Sequence, residues 1–357
     1  MKCLTTALVV AALAASTAAQ TRVNPDISAI GDFRLFSHTD DSRDGEQDRV
    51  NLTGPSLEID VSGYLNPYSR ADVAIAWHDE NAEIEEVYVT ILRGLPLGLN
   101  LAAGKRLLEF GRLNVSHEHV WPFIKRPLAH EFFFGPEGLR DATLRGSVLL
   151  PTGSVYTELQ FGVTGGAALS EALLAGPPPA DSTAVSELGG LARLTASLAP
   201  SETSELAFGV SLLNSPDNDG ETRIWLGGLD VKYKNTKSRT RSLLIEAEAL
   251  IRDVPDRGVT ETEAFGYLDF RFGGRYSVGS MIEAVSIHEN VGTANPATPT
   301  ERRTLTRVGG FMAFLPVEET LVARLAIFHT DPIDAPTFWE VTAQLVFGLG
   351  PHKIHSF

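Results

Sequence analysis

The sequence predicts a closed antiparallel transmembrane β-barrel of about sixteen strands in the outer membrane of a Gram-negative cell. Three observations support this fold: an export signal at the N-terminus, apolar and polar residues that alternate with a period of two, and breaks between strands that alternate in length. The chain has 357 residues, a net charge of -15 and a single cysteine, Cys3. We therefore expect neither a disulfide scaffold nor a nucleic-acid partner.

Residues 1–19 have the order of a secretory signal peptide. Lys2 supplies a positive charge, residues 4–15 form a short apolar run, and small residues follow at 16–19. This run is too short for a membrane-spanning helix, and no later stretch reaches the roughly eighteen apolar residues that such a helix needs. We expect cleavage after Ala18 or Ala19, export, and a single barrel domain over residues 20–357.

Alternation with a period of two recurs through the rest of the chain. In residues 57–62 and 243–252, for example, every second residue is apolar. Such stretches are about ten residues long, close to the roughly nine to eleven tilted residues that cross a bilayer core. The pattern predicts lipid outside and a polar interior. The expected strands lie near 26–36, 56–64, 69–77, 84–92, 97–106, 140–150, 154–164, 188–199, 204–214, 222–234, 238–251, 262–272, 275–288, 303–315, 320–329 and 337–349.

The breaks between these strands alternate in length, which predicts short periplasmic turns and longer outer loops. The short breaks lie at 66–67, 94–96, 151–153, 200–203, 235–237, 273–274 and 316–319, and the longer ones at 37–55, 78–83, 107–139, 165–187, 215–221, 252–261, 289–302 and 330–336. Two strands contain the pairs Gly227-Gly228 and Gly309-Gly310, which we expect to mark a bend or bulge. A count of fourteen strands remains open if one weak hairpin belongs to a loop.

The longest break, residues 107–139, is rich in aromatic residues. Because a long apolar loop would otherwise be an exposed hydrophobic patch, we expect it to fold into or over the lumen. Residues 105–145 contain seven basic and five acidic side chains, and basic groups at a constriction favour anions. This predicts a weak anion preference, unless the charges pair with acidic neighbours and only fix the loop. The pore-lining candidates are Arg106, Arg112, Lys125, Arg126, Glu118, Arg140 and Asp141.

The same loop contains a candidate zinc site. His117 and His119 have the His-x-His spacing that points both rings to one side of an extended segment, and His130 or a glutamate could add a third ligand. The alternative is that these histidines are hydrogen-bonded or face solvent. We expect no enzyme, because the adjacency of Ser116 and His117 provides neither an aligned base nor an oxyanion hole.

Several motifs resemble one family of Gram-negative outer-membrane proteins, whose members are called porin-like or labelled zinc-regulated TonB-dependent outer membrane receptors. The motifs are Asn24-Pro25-Asp26-Ile27-Ser28, Gly104-Lys105-Arg106, Phe110-Gly111-Arg112-Leu113-Asn114, His117-x-His119, Arg126-Pro127-Leu128, Phe134-Gly135-Pro136-Glu137-Gly138-Leu139-Arg140-Asp141 and Phe347-Gly348-Leu349-Gly350-Pro351-His352. The resemblance implies a barrel. Because the first expected strand begins close to the cleavage site, we expect no plug domain of the kind found in TonB-dependent transporters.

These observations predict a porin-like channel for passive passage of small hydrophilic solutes. The alternative is an outer-membrane receptor or transporter for a metal ion or another specific ligand, without its own plug. We expect lipid, small solutes and the barrel assembly machinery as partners, the last because Phe357 is a terminal aromatic residue, and we leave a homo-oligomer open.

Overall fold

The fold is a closed barrel in which every strand is antiparallel to its two neighbours. The computed structural model describes residues 25–43, 45–78, 81–135, 137–165, 188–216, 223–254, 259–290, 300–317, 320–333 and 335–351. The expected signal peptide and Phe357 lie outside these residues. Strand β1 pairs with β2 on one side and with β16 on the other, which closes the sheet without a free edge.

The sixteen strands confirm the count expected from the sequence, and the alternative of fourteen is excluded. They are β1 (Asp26–His38), β2 (Asn51–Asn66), β3 (Ser69–His78), β4 (Asn81–Ile91), β5 (Asn100–Leu107), β6 (Arg140–Leu149), β7 (Tyr156–Thr164), β8 (Gly189–Ser201), β9 (Ser204–Pro216), β10 (Arg223–Ser238), β11 (Arg241–Val254), β12 (Val259–Phe272), β13 (Tyr276–Asn290), β14 (Thr300–Val317), β15 (Leu321–Asp331) and β16 (Phe338–Leu349).

A short α-helix, α1 (Leu128–Phe134), and two 3-10 helices (Pro96–Gly98 and Glu118–Val120) lie between strands. No helix among the residues described is both long and apolar enough to cross a membrane.

The two faces of the wall differ in polarity, as the alternation predicts. In β15, Leu325 and Ile327 are exposed on the outer face, whereas Arg324 on the inner face is buried. Aromatic rings also lie on the outer face near the short turns, where Phe272, Tyr276 and Phe314 stack in sequence. An outer face of exposed apolar and aromatic side chains fits a barrel surrounded by lipid.

The connections do not alternate in length as strictly as expected. The expected outer loop at 78–83 is reduced to residues 79 and 80, because His78 pairs with Asn81 and the β3–β4 ladder continues to that point. The β4–β5 connection is longer than the short turn expected at 94–96, because it spans residues 92–99 and includes a 3-10 helix with Pro96 at its start. Leu97 (φ 60°) and Gly98 (φ 67°) have left-handed backbone conformations in this helix, which a β-strand does not adopt.

The turn expected at 235–237 is also displaced. Strand β10 continues through these residues, and the chain reverses at residues 239–240. Backbone pairing extends here past the end of the apolar alternation, because a ladder needs only N–H and C=O groups, whereas the alternation marks the part that faces lipid.

The two glycine pairs do not mark bulges, because the strand register is continuous at both. They allow close approach inside the barrel instead. A Cβ on Gly228 would lie 2.9 Å from the ring of Phe110, and a Cβ on Gly309 would collide with the ring of Phe328. Both glycines therefore make room for aromatic side chains in the lumen.

We expect arginine in place of Ile282 to destabilise the barrel by about 2–4 kcal/mol, because this side chain lies on the outer face near the middle of β13, where a charge would enter the hydrocarbon. Urea unfolding in phospholipid bilayers would measure the change. Leu97→Arg is the matched control, since Leu97 is 92% exposed in the β4–β5 connection and should tolerate the charge. Equal stabilities for the two variants would contradict a lipid-facing outer surface.

Candidate functional site

The segment between β5 and β6 lies inside the barrel and is called here the inner loop (residues 108–139, with residue 136 outside those described). It contacts inward-facing side chains of strands around the barrel, from Glu58 on β2 to Glu340 on β16. Asn114 holds the two ends of the loop together, because its side-chain amide donates to the carbonyls of Leu108 (2.8 Å) and Leu139 (3.0 Å) and accepts from the Leu139 amide (2.9 Å).

One side of the inner loop is apolar and packs against β8–β15. Trp121, Phe123 and Phe133 are almost completely buried. They pack against apolar side chains of the wall. The inner face of β8–β15 carries these apolar residues, although a polar interior was expected. These wall residues are Leu191, Leu213, Ile224, Leu226, Leu250, Phe265, Tyr267, Met281, Val285, Leu305, Phe311, Ala326 and Phe328. The loop therefore fills the lumen where these side chains lie, and a cavity of about 270 Å³ lies between the loop and polar residues of β7–β9.

Two inward-facing glutamates fix the backbone of the inner loop. Glu248 on β11 accepts hydrogen bonds from the amides of Arg112 (2.5 Å) and Leu113 (2.7 Å). Glu283 on β13 accepts one from the amide of Leu128 (2.6 Å), at the start of α1, and forms a buried ion pair with Arg307 (2.8 Å). Each carboxylate thus satisfies donors that would otherwise be buried without partners.

Two arginines of the wall bind backbone carbonyl groups of the inner loop. Arg307 donates to the carbonyl of Arg126 (2.9 Å), and Arg324 donates to the carbonyl of His119 (3.0 Å). The conformation of the loop is therefore set by contacts with strands that are distant in sequence.

The other side of the inner loop is polar, and two cavities lie next to it along β1–β5. The first has a volume of about 310 Å³ and is lined by residues that include Glu58, His117 and Arg140. The second, of about 260 Å³, is lined by residues that include Asp72, Arg106 and, again, His117. Because His117 lines both cavities, it stands between them.

His117 is surrounded by carboxylates. Its Nδ1 lies 2.9 Å from Glu58 and 3.5 Å from Glu85, and its Nε2 lies 3.2 Å from Glu86. Burial by itself lowers the pKa of His117, but attraction by Glu58 and hydrogen bonds to the three glutamates outweigh burial and hold that pKa well above its usual value. His119 joins the group, because its Nδ1 lies 3.2 Å from the second oxygen of Glu58.

His130, the third histidine expected to ligate zinc, lies elsewhere. It is fully buried in α1, and its Nε2 lies 3.0 Å from Glu248. Burial lowers the pKa of His130, although Glu248 acts in the opposite direction. Among the residues described, the group that could hold a metal ion is Glu58, His117 and His119.

The pore-lining candidates are all placed in ion pairs or hydrogen bonds. Lys125 pairs with Glu340 on β16 (2.5 Å), and Arg112 pairs with Asp230 on β10 (3.2 Å). The remaining contacts are Arg106 with Glu109 (2.7 Å), Arg126 with Glu118 (3.3 Å), Arg140 with Glu85 (3.4 Å) and the Asp141 carboxylate with the amide of Ala142 (2.7 Å). The five basic candidates therefore each face a carboxylate.

Sequence reasoning missed the wall residues that complete this site. Glu58, Glu86, Glu248 and Glu283 lie on strands, and only closure of the barrel brings them to the inner loop. The alternation of polar and apolar residues could have indicated them. Glu58, for example, alternates with Leu57 and Ile59, which places it on the polar face of β2.

No protein-family model matches the chain. An uncharacterized protein of Aquifex aeolicus is 35% identical over 94 residues, which are 26% of this chain and only 20% of that relative. The fold is similar to that of several solved structures.

OprB of Pseudomonas putida aligns with a TM-score of 0.58 and 9% identity over 91% of this chain and 94% of its own. An anion-selective porin from Comamonas acidovorans aligns with a TM-score of 0.54 and 10% identity over 91% of this chain and 99% of its own. OmpT, an outer membrane protein of Vibrio cholerae, aligns in its trimer form with a TM-score of 0.54 and 9% identity, over 91% of this chain and 100% of its own. None of these three is described as a TonB-dependent receptor.

We expect Glu248→Ala to release the inner loop while the barrel stays closed. Removal of the carboxylate leaves the buried amides of Arg112 and Leu113 without an acceptor, which should lower the free energy of local opening by about 3 kcal/mol. Hydrogen exchange at these two amides should become roughly 100-fold faster. In the control Glu205→Ala, the lost partner is Lys232, outside the loop, and exchange in the loop should not change. Unchanged exchange in Glu248→Ala would show that other contacts hold the loop.

Proposed function

We propose that the protein is an outer-membrane porin-like channel for the passive passage of small hydrophilic solutes. The observation that carries the proposal is the one-sided packing of the inner loop. Its apolar side packs against β8–β15, whereas cavities with charged linings remain along β1–β5 and along β7–β9. A loop that narrows a barrel without filling it leaves a polar route through an apolar membrane. The barrel fold shared with a porin supports this proposal.

We propose a weak preference for cations in place of the anion preference expected from the sequence. Five carboxylates and three arginines line the first cavity, and three carboxylates and two arginines line the second. His117, whose raised pKa favours its charged form, lines both cavities and balances the charge of the second. The acidic excess that would raise the local concentration of cations therefore lies in the first cavity. The anion selectivity named for the Comamonas porin belongs to that protein, which is only 10% identical.

The proposal includes the outer membrane as location, lipid as surroundings and the barrel assembly machinery as a transient partner. Because OmpT has a trimer form, the oligomeric state of this protein should be measured to test for a homo-oligomer. We propose a channel rather than an enzyme, because both ring nitrogens of His117 face glutamates and the ring is therefore not offered to Ser116 as a base.

We expect purified protein in planar bilayers to give a steady ohmic current, with a reversal potential in a salt gradient that has the sign of cation preference. Saturable ligand binding without current would contradict the channel and favour the alternative, a receptor without a plug. A reversal potential of the opposite sign would contradict the cation preference and restore the anion preference.

We expect Asp72→Asn to shift the reversal potential towards anions, because Asp72 lines the second cavity and its loss leaves Arg70, 2.7 Å away, without its carboxylate partner. Glu202→Gln is the matched control, since it removes the same charge from an exposed turn at residues 202–203. Equal shifts in the two variants would show that the second cavity is not part of the ion path.

A further inference from the structure

We propose that Glu58, His117 and His119 form a binding site for a divalent transition-metal ion such as Zn²⁺, and that the bound ion narrows the channel. The consequence for conduction rests on the proposed channel function, whereas the binding site does not. The set combines two imidazoles with one carboxylate, and three such ligands leave a fourth position for water or a solute.

The donor atoms lie close to the spacing that zinc requires. Oxygens of Glu58 lie 2.9 Å from Nδ1 of His117 and 3.2 Å from Nδ1 of His119, and the three ligand atoms all lie within 4.8 Å of one another. Ligand atoms around a tetrahedral ion with bonds of about 2.1 Å are about 3.4 Å apart. Small movements of the side chains would therefore complete the site.

Further contacts orient the ring of His117 and fix the backbone at His119. Glu86 lies 3.2 Å from Nε2 of His117, on the side of the ring away from the proposed ion, and Glu86 is itself fixed by a hydrogen bond from the Leu107 amide (2.8 Å). This carboxylate–histidine arrangement is the one that orients ligands in metal sites. The backbone at His119 is fixed by Arg324 (3.0 Å), and the two rings lie 5.7 Å apart.

The surrounding charge also favours a cation. Glu85 lies 3.5 Å from Nδ1 of His117, and Asp60 points into the second cavity from the same strand as Glu58. Carboxylates thus approach His117 from both β2 and β4, and a divalent ion would add to the attraction that Arg140 already offers Glu85 (3.4 Å).

The position of the site links the metal to conduction. Glu58 belongs to the wall, whereas His117 and His119 belong to the inner loop, so an ion shared among them would join the loop to β2. His117 lines both cavities, and the ion would lie at the contact between them. Metal binding should therefore reduce the current through the proposed channel.

Two measurements on the full-length protein in detergent and in bilayers test the proposal. Isothermal titration with Zn²⁺ should give one site per chain, and added Zn²⁺ should reduce the current. His117→Gln and His119→Gln keep a hydrogen-bonding amide towards Glu58 but remove the imidazole, and each should abolish binding and block. Glu86→Gln should weaken binding about 10- to 100-fold, because it removes only the orienting carboxylate. Mg²⁺, which prefers oxygen ligands, should neither bind there nor block.

His329→Gln is the matched control, because His329 packs against Trp339 outside the cluster and should leave zinc binding and block unchanged. Wild-type zinc affinity in His117→Gln and His119→Gln would overturn the site. Binding that these variants abolish, without any change in the wild-type current, would overturn the narrowing. Absence of current in every condition would refute the channel, whereas the titration would still decide whether the metal site exists.

Discussion

An apolar inner wall is the feature on which the rest of this structure depends. Strands β8–β15 carry aromatic and aliphatic side chains on both faces, and those on the inner face would line a water-filled lumen if nothing covered them. The hydrophobic effect therefore drives the inner loop against this wall, where Trp121, Phe123 and Phe133 lose nearly all contact with water. Because the loop packs against these apolar side chains, open space remains next to polar parts of the wall, along β1–β5 and β7–β9.

Charge complementarity then fixes the loop in one position on that wall. Hydrophobic contact is non-directional and would tolerate sliding, but hydrogen bonds and ion pairs do not. Glu248 accepts two loop amides, Glu283 accepts the first amide of α1, and Lys125 pairs with Glu340. The basic side chains of the loop thus face acidic partners. Their positive charges serve attachment, which is the alternative that the sequence left open.

The same attachment creates the histidine cluster. The carbonyl of His119 is held by Arg324 from β15, while its ring meets Glu58 from β2, three strands away around the closed sheet. The loop is therefore attached to this side of the wall, and one of its residues, His117, lies between two cavities. A ligand bound here between loop and wall would lie on the route that we propose.

The sequence by itself determined the barrel, its sixteen strands and the distinct character of the loop at 107–139, because lipid on one face imposes a period of two on every strand and turns interrupt it. The alternation did not predict the turn at residues 239–240 or the short β3–β4 connection, because backbone pairing continues where alternation ends. Only the tertiary structure decided which carboxylates meet the loop. Glu58 and His117 are 59 positions apart in the chain, and Glu248 and His130 are 118 apart. Such contacts depend on how a closed sheet surrounds an inserted segment, and local periodicity carries no information about that arrangement.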